Sequence, residues 1–281
     1  MKLFLPIIFS FFPFMGLCQE TATDTIQKTV ITDTILPLPY SISTAATDAN
    51  IERALSKSWE LDRQDQRGTF HIMEYQPMYI MPMRFTDCPT KQPQSLNPER
   101  PIPESRKYQN VEFKFQVSLK TKILQDAFAK GDVWVAFTQQ AYWQMYNGGL
   151  SRPFRELNYE PELIFTYPIN FSAGNLKLKM LGLSINHQSN GKEASHSRSW
   201  NRFILTALGK WERVTFNFQL WRRFTETTVE DDNPQIEDYI GRCRLTSIIP
   251  IGKTALSISM RNNLNFKHNR AHNPPAAGAA C

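Results

Sequence analysis

The sequence predicts an all-β protein, a transmembrane antiparallel β-barrel of the outer membrane, from three observations. Nine stretches between residues 70 and 270 alternate an apolar with a polar side chain, the period of a strand with one greasy and one wet face. These stretches run to roughly ten residues, longer than the usual five or six of soluble sandwiches and suited to a tilted crossing of a bilayer. Aromatic residues, 12% of the chain, gather near strand ends, and the chain opens on an apolar export signal. A secreted soluble β protein would show the same alternation, and the period alone leaves that alternative open.

"MKLFLPIIFSFFPFMGLCQE" has one lysine, a short apolar run and then small and polar residues, so residues 1–18 are expected to be a signal peptide. Leu17 is large where lipoprotein processing at Cys18 wants a small residue, which favours cleavage over lipidation. Beyond this stretch no apolar run reaches the roughly 18 residues of a membrane helix. Residues 19–69 are read as a periplasmic leader, rich in threonine at first and then, in "TDANIERALSKSWELD", carrying the capping residue and helix formers of a short helix.

The nine strands are expected in "FHIMEYQPMYIMP", "NVEFKFQVSLKTKI", "DVWVAFTQQAYWQMY", "LNYEPELIFTYPIN", "NLKLKMLGLSINHQ", "RSWNRFILTALGKW", "RVTFNFQLWRRF", "DYIGRCRLTSIIPI" and "TALSISMRNNLNFK". Turn-like segments such as "AFAKGD", "NGGLSRP", "SAGN" and "DDNPQIED" join them. In "VEFKFQVSL" the apolar set is Val111, Phe113, Phe115, Val117 and Leu119, with Glu112, Lys114, Gln116 and Ser118 on the other face. The barrel domain so defined covers residues 70–270, and "HNPPAAGAAC" closes residues 271–281 as an irregular tail with two prolines and no alternation.

The formal charge of +6 is spread without a lysine or arginine block, and export from the cytoplasm argues against a nucleic-acid partner. Once Cys18 is removed, Cys88, Cys243 and Cys281 form neither a disulfide framework nor a metal pattern, although Cys88 and Cys243 could pair.

Chemistry is suggested by "INHQSNGKEASHSRSWNRF", residues 185–203. On a strand His187 and Ser189 leave by one face, and a turn centred on Ala194 would put Asn201 opposite His187. Serine needs a neighbouring base to become nucleophilic, and that imidazole needs a third group to hold its tautomer. Taken alone, His-x-Ser and an Asn near a turn are also ordinary surface polarity, and the spacing leaves both readings open.

"NHQSNG" followed by "SRSWNR", and preceded by "QQAYWQMYNGGLSRPFRELNYEPEL", resembles the outer membrane phospholipase A family in phrase order and spacing. The resemblance covers about residues 50–270 and is densest from Thr138 to Arg202. It implies a twelve-stranded barrel whose lipid-facing wall carries a Ser-His-Asn triad, with Ser189 as nucleophile, His187 as general base and then acid, and Asn201 as the orienting group. It further implies hydrolysis of phospholipid acyl esters with Ca2+ in a homodimer, the calcium ligands falling at Ser151, Lys192 and Ser197. Lys192 stands where the family commonly has arginine, a harmless change if that position binds through its backbone carbonyl. A non-catalytic barrel keeping the hairpin, either pore or structural protein, is the alternative.

"PFRELNYEPEL" also invites a paired-carboxylate reading of Glu160 and Glu162, but on a barrel strand both face the lumen, where pairing with Arg or Lys is expected. Trp143, Trp200 and Trp211 are expected as interfacial anchors. Nine readable strands against twelve lead to the expectation that this chain cannot close its barrel alone.

Overall fold

The structure, a computed structural model, describes residues 48–264 apart from 88, 96, 102, 193–195 and 253. The expected signal peptide and tail, the first part of the leader, Cys18, Cys88, Cys281 and the turn centre at Ala194 lie outside the described residues. Cys243 is a buried free thiol.

Among the described residues ten strands build one curled antiparallel sheet: β1 (Ile72–Glu74), β2 (Tyr79–Phe85), β3 (Val111–Ala127), β4 (Gly131–Trp143), β5 (Phe154–Ala173), β6 (Leu176–Ser189), β7 (Ser199–Trp211), β8 (Val214–Arg223), β9 (Cys243–Ile251) and β10 (Thr254–Asn262). The first expected strand is two: β1 and β2 both pair with β3, on either side of the break at Pro77. Proline cannot donate to a ladder, which accounts for the interruption. From β3 to β10 each strand pairs with its sequence neighbours, and among the described residues β10 pairs only with β9. No helix among the described residues is long and apolar enough to cross a membrane.

Burial is inverted relative to a soluble protein. Along β3 the polar residues Glu112, Lys114, Ser118, Lys120 and Lys122 are buried, while Val117 and Leu119 between them are exposed. The same parity continues on β6 and β7, where Ser184, Asn186, Arg202 and Thr206 are buried and Leu183, Ile185, Phe203 and Leu205 are exposed. An apolar outer wall around a polar interior is what a lipid solvent selects, because each strand then presents hydrocarbon to hydrocarbon and keeps its charges paired inside. The chain is thus a β-barrel of the outer-membrane type.

Several interior charges are matched. Glu112 receives Arg84 and Arg155, both at 2.7 Å, and Lys122 lies 2.9 Å from Glu60 and 2.7 Å from Asp132. Glu160 pairs with Arg202 at 3.4 Å, as expected of a lumenal carboxylate. Glu162 is held instead by hydroxyl and amide donors from Tyr75, Ser184 and Asn186. These bonds occupy both carboxylates in the wall and leave the paired-carboxylate reading without support.

The leader's helix is α1 (Asp48–Ser58), and its apolar stripe docks on the inner face of the sheet. Ile51 packs with Leu55 on Ile248, and Trp59 just beyond the helix packs on Trp134, Ile164, Met180 and Leu208. The Lys120 ammonium sits 3.2 Å from the Trp59 ring centroid, a cation–π contact inside the barrel. Glu52 anchors the helix to Lys179 at 2.9 Å and Lys210 at 3.5 Å. Partial burial pushes the Glu52 carboxyl up, but the two ammoniums outweigh it and hold the group below its ordinary value of 4.5. Its contribution to docking is therefore present above the unfolded value and lost as pH falls through the lowered folded one. The protection of residues 48–58 against hydrogen exchange, relative to the intrinsic rate at each pH, is expected to fall on acidification into that range, and Glu52→Gln should lower it at neutral pH and remove the acid step.

Candidate active site

β6 and β7 form the hairpin that carries the site, in the register that the sequence implied: His187 opposite Asn201, with Ile185 opposite Phe203 one outward-facing pair below. His187 Nδ1 lies 2.8 Å from Asn201 Oδ1. The Asn201 amide in turn donates through Nδ2 to Glu226 Oε1 at 2.9 Å. Ser189 ends β6 two residues past His187 on the same outward face, opposite Ser199 on β7 and Tyr159 on β5. The Ser189 hydroxyl oxygen accepts from the Gly191 amide at 3.1 Å, so one backbone N–H already points at the oxygen that would attack.

Gly191 owes its place to geometry. Its φ is +65°, and a Cβ would meet the Tyr159 ring at 3.1 Å, so a side chain there is strained and crowded at once. Asn190 fastens the loop: it is buried, and it ties Lys192 N, Arg198 N and the His196 carbonyl together. These bonds let a polar nine-residue connection hold Ser189 at a fixed strand end.

His187, Ser189 and Asn201 continue the lipid-facing column rather than occupying a cleft. His187 is exposed, and the outward residues before it and across from it, Leu183, Ile185, Phe203 and Leu205, are exposed apolar side chains.

The expected calcium ligands are brought together only in part. Ser197 donates to Asp232 Oδ2, and Ser199 reaches the same oxygen at 3.4 Å, while Arg100 holds Oδ1 at 3.2 Å. The Lys192 ammonium donates to the Arg155 carbonyl at 3.2 Å, which leaves its backbone carbonyl as its one oxygen donor. Burial lowers the Lys192 ammonium from its ordinary value, with Glu156 opposing and Arg198, Arg106 and Arg155 reinforcing the effect. Ser151 closes the short turn Gly148–Leu150 on the β4–β5 loop in a left-handed conformation, φ +58°. Its amide bonds Gly148, and no contact recorded among the described residues joins it to Lys192 or Ser197. No group of three or more His, Cys, Asp or Glu gathers among the described residues. The oxygens at hand are hydroxyl, carbonyl and one carboxylate, a set a hard cation accepts, so the chemistry of these residues fits calcium.

Trp200 departs from expectation. It is buried on the inner face, where it hydrogen bonds Gln188 at 2.9 Å under the Arg202 guanidinium. Parity explains this: Asn201 faces out, so its neighbour must face in. Trp211 is exposed at the end of β7, and Trp143 stacks on Phe154 with centroids 5.2 Å apart. Glu226 and Asp232 were not signalled by the sequence, because both sit on the long β8–β9 connection, whose return to the hairpin no periodicity reveals.

The chain is similar to known proteins over most of its length. A protein of Neisseria meningitidis assigned as phospholipase A1 is 38% identical over 205 residues, 70% of this chain and 53% of the relative, so the chain spans about half the length of that relative. A calcium-bound dimer of Salmonella typhi outer membrane phospholipase superposes with a TM-score of 0.63 at 26% identity, over 74% of this chain and 79% of that one. An active-site mutant of Escherichia coli outer membrane phospholipase A, an asparagine-to-alanine change, gives 0.60 at 25% identity, over 74% and 77%. The family model for phospholipase A1 matches residues 55–273, most of the chain, and the chain belongs to the phospholipase A1 family.

Proposed function

We propose that this chain is a calcium-dependent outer membrane phospholipase that hydrolyses the 1- and 2-acyl esters of glycerophospholipids, lysolipids included, through Ser189, His187 and Asn201. The carrying observation is the 2.8 Å contact of His187 Nδ1 with Asn201 Oδ1, with Ser189 two residues along on the same lipid-facing surface.

An amide oxygen only accepts, so His187 must carry its proton on Nδ1, leaving the Nε2 lone pair for the Ser189 hydroxyl. Ser189 Oγ attacks the acyl carbonyl as its proton passes to Nε2. The tetrahedral adduct expels the glycerol oxygen, which takes that proton, and water releases the fatty acid from the acyl-enzyme by the same two transfers. The Gly191 N–H, which donates to Ser189 Oγ before attack, would be free to turn to the developing oxyanion once Oγ is acylated, a contribution often worth a few kcal/mol. The Lys192 carbonyl, Ser197 and Ser151 would hold Ca2+, Ser151 from a partner subunit. Bound there, the cation would polarise the ester carbonyl and stabilise negative charge. Dimer formation and calcium binding would then favour one another by mass action.

Treatment of the protein in lipid with a sulfonyl fluoride, followed by peptide mapping, is expected to modify Ser189. Modification elsewhere, or none, would count for a non-catalytic barrel. Asn201→Ala should reduce kcat about 10²- to 10⁴-fold, since it removes orientation and spares nucleophile and base.

A further inference from the structure

We propose that Glu226, on the connection between β8 and β9, is a positioning residue that locks the Asn201 amide in its productive orientation; the inference rests on the triad reading above. A carboxamide presents an acceptor on one side and a donor on the other, and a half-turn about its last bond exchanges them. With Oδ1 towards His187, the imidazole carries its proton on Nδ1 and Nε2 can act as base. With the NH2 towards His187, the proton would be driven to Nε2, and Ser189 would face a donor instead of a base.

His187 alone does not decide between these states, since either ring tautomer satisfies one of them. Glu226 does decide. Its carboxylate only accepts, and Oε1 lies 2.9 Å from Asn201 Nδ2, so the NH2 must face the carboxylate and Oδ1 the imidazole. Glu226 is itself held in place: its other oxygen lies 4.0 Å from Arg223, which Asp231 at 2.8 Å and the Asn233 carbonyl at 2.5 Å also fix. The connection is pinned to the same strand residue, the Phe224 amide donating to the Asn201 carbonyl at 2.8 Å, and Phe224 packs edge-on against Phe203 with centroids 4.4 Å apart. The arrangement also sets a negative charge one hydrogen bond behind a neutral orienting group, where it strengthens the amide's hold on an imidazolium.

The test compares Glu226→Ala, Glu226→Gln and Glu226→Asp in the full chain reconstituted with lipid and calcium, reading the sulfonyl fluoride labelling rate at Ser189 together with kcat and KM. Alanine is expected to slow labelling and lower kcat by about tenfold with KM unchanged, as loss of orientation does in other triads. Aspartate, still acceptor-only, should restore most of the loss, and glutamine, able to donate or accept, should fall between. Labelling of Glu226→Ala at the parent rate would overturn the proposal. So would equal loss in all three variants, which would reduce Glu226 to a loop anchor. Absence of Ser189 labelling in the parent chain would instead defeat the triad reading itself, and the two failures are thereby distinguishable.

Discussion

Ser189→Ala and His187→Ala are each expected to lower phospholipid hydrolysis by about 10³-fold or more, because nucleophile and base act as a unit and removal of either leaves only binding and oxyanion stabilisation. Neither change should disturb folding. His187 is exposed on the outer wall and Ser189 stands at a strand end, so neither fills the interior. Fatty acid release from detergent-solubilised lipid measures the first effect, and the heat-dependent gel shift of each variant checks the second. Activity within a few-fold of the parent in either variant would remove that residue from the mechanism.

Lys122→Met is expected to destabilise the barrel by about 3–5 kcal/mol, since it leaves two buried carboxylates facing each other without a cation. The Lys122 side chain is 1% exposed, and Glu60 and Asp132 close on it at 2.9 and 2.7 Å. The effect reaches beyond the wall, because Glu60 belongs to the segment that follows α1 and Lys122 ties that segment to β3 and β4. A denaturant titration of the variant should show the loss, and adding Glu60→Gln with Asp132→Asn should recover a large part of it. No change in midpoint on Lys122→Met would mean that the two carboxylates are solvated.

How much of this was legible in the sequence follows from which interactions have a period. The strands from Val111 to Trp211 were readable because lipid outside and charge inside impose strict alternation on every residue, and the same period fixes His187 against Asn201 across a hairpin. The division between β1 and β2 was hidden, since the run from Ile72 to Phe85 carries apolar residues on both sides of Pro77. Trp200 was placed on the wrong face by an appeal to where tryptophans usually sit, when its parity with Arg202 and Ile204 already turned it inward. Glu226, Asp232 and the docking of Trp59 were out of reach for another reason: they join segments 25 to 75 residues apart through loops and a leader that carry no repeating pattern.

The most direct test of the account is fatty acid release from phospholipid vesicles by the 281-residue chain, beside its Ser189→Ala variant, with calcium and then with chelator. The account predicts release by the parent that falls together with the dimer fraction when calcium is removed, and none above background from the variant. Equal release by parent and variant, or full release by a monomer in chelator, would contradict it.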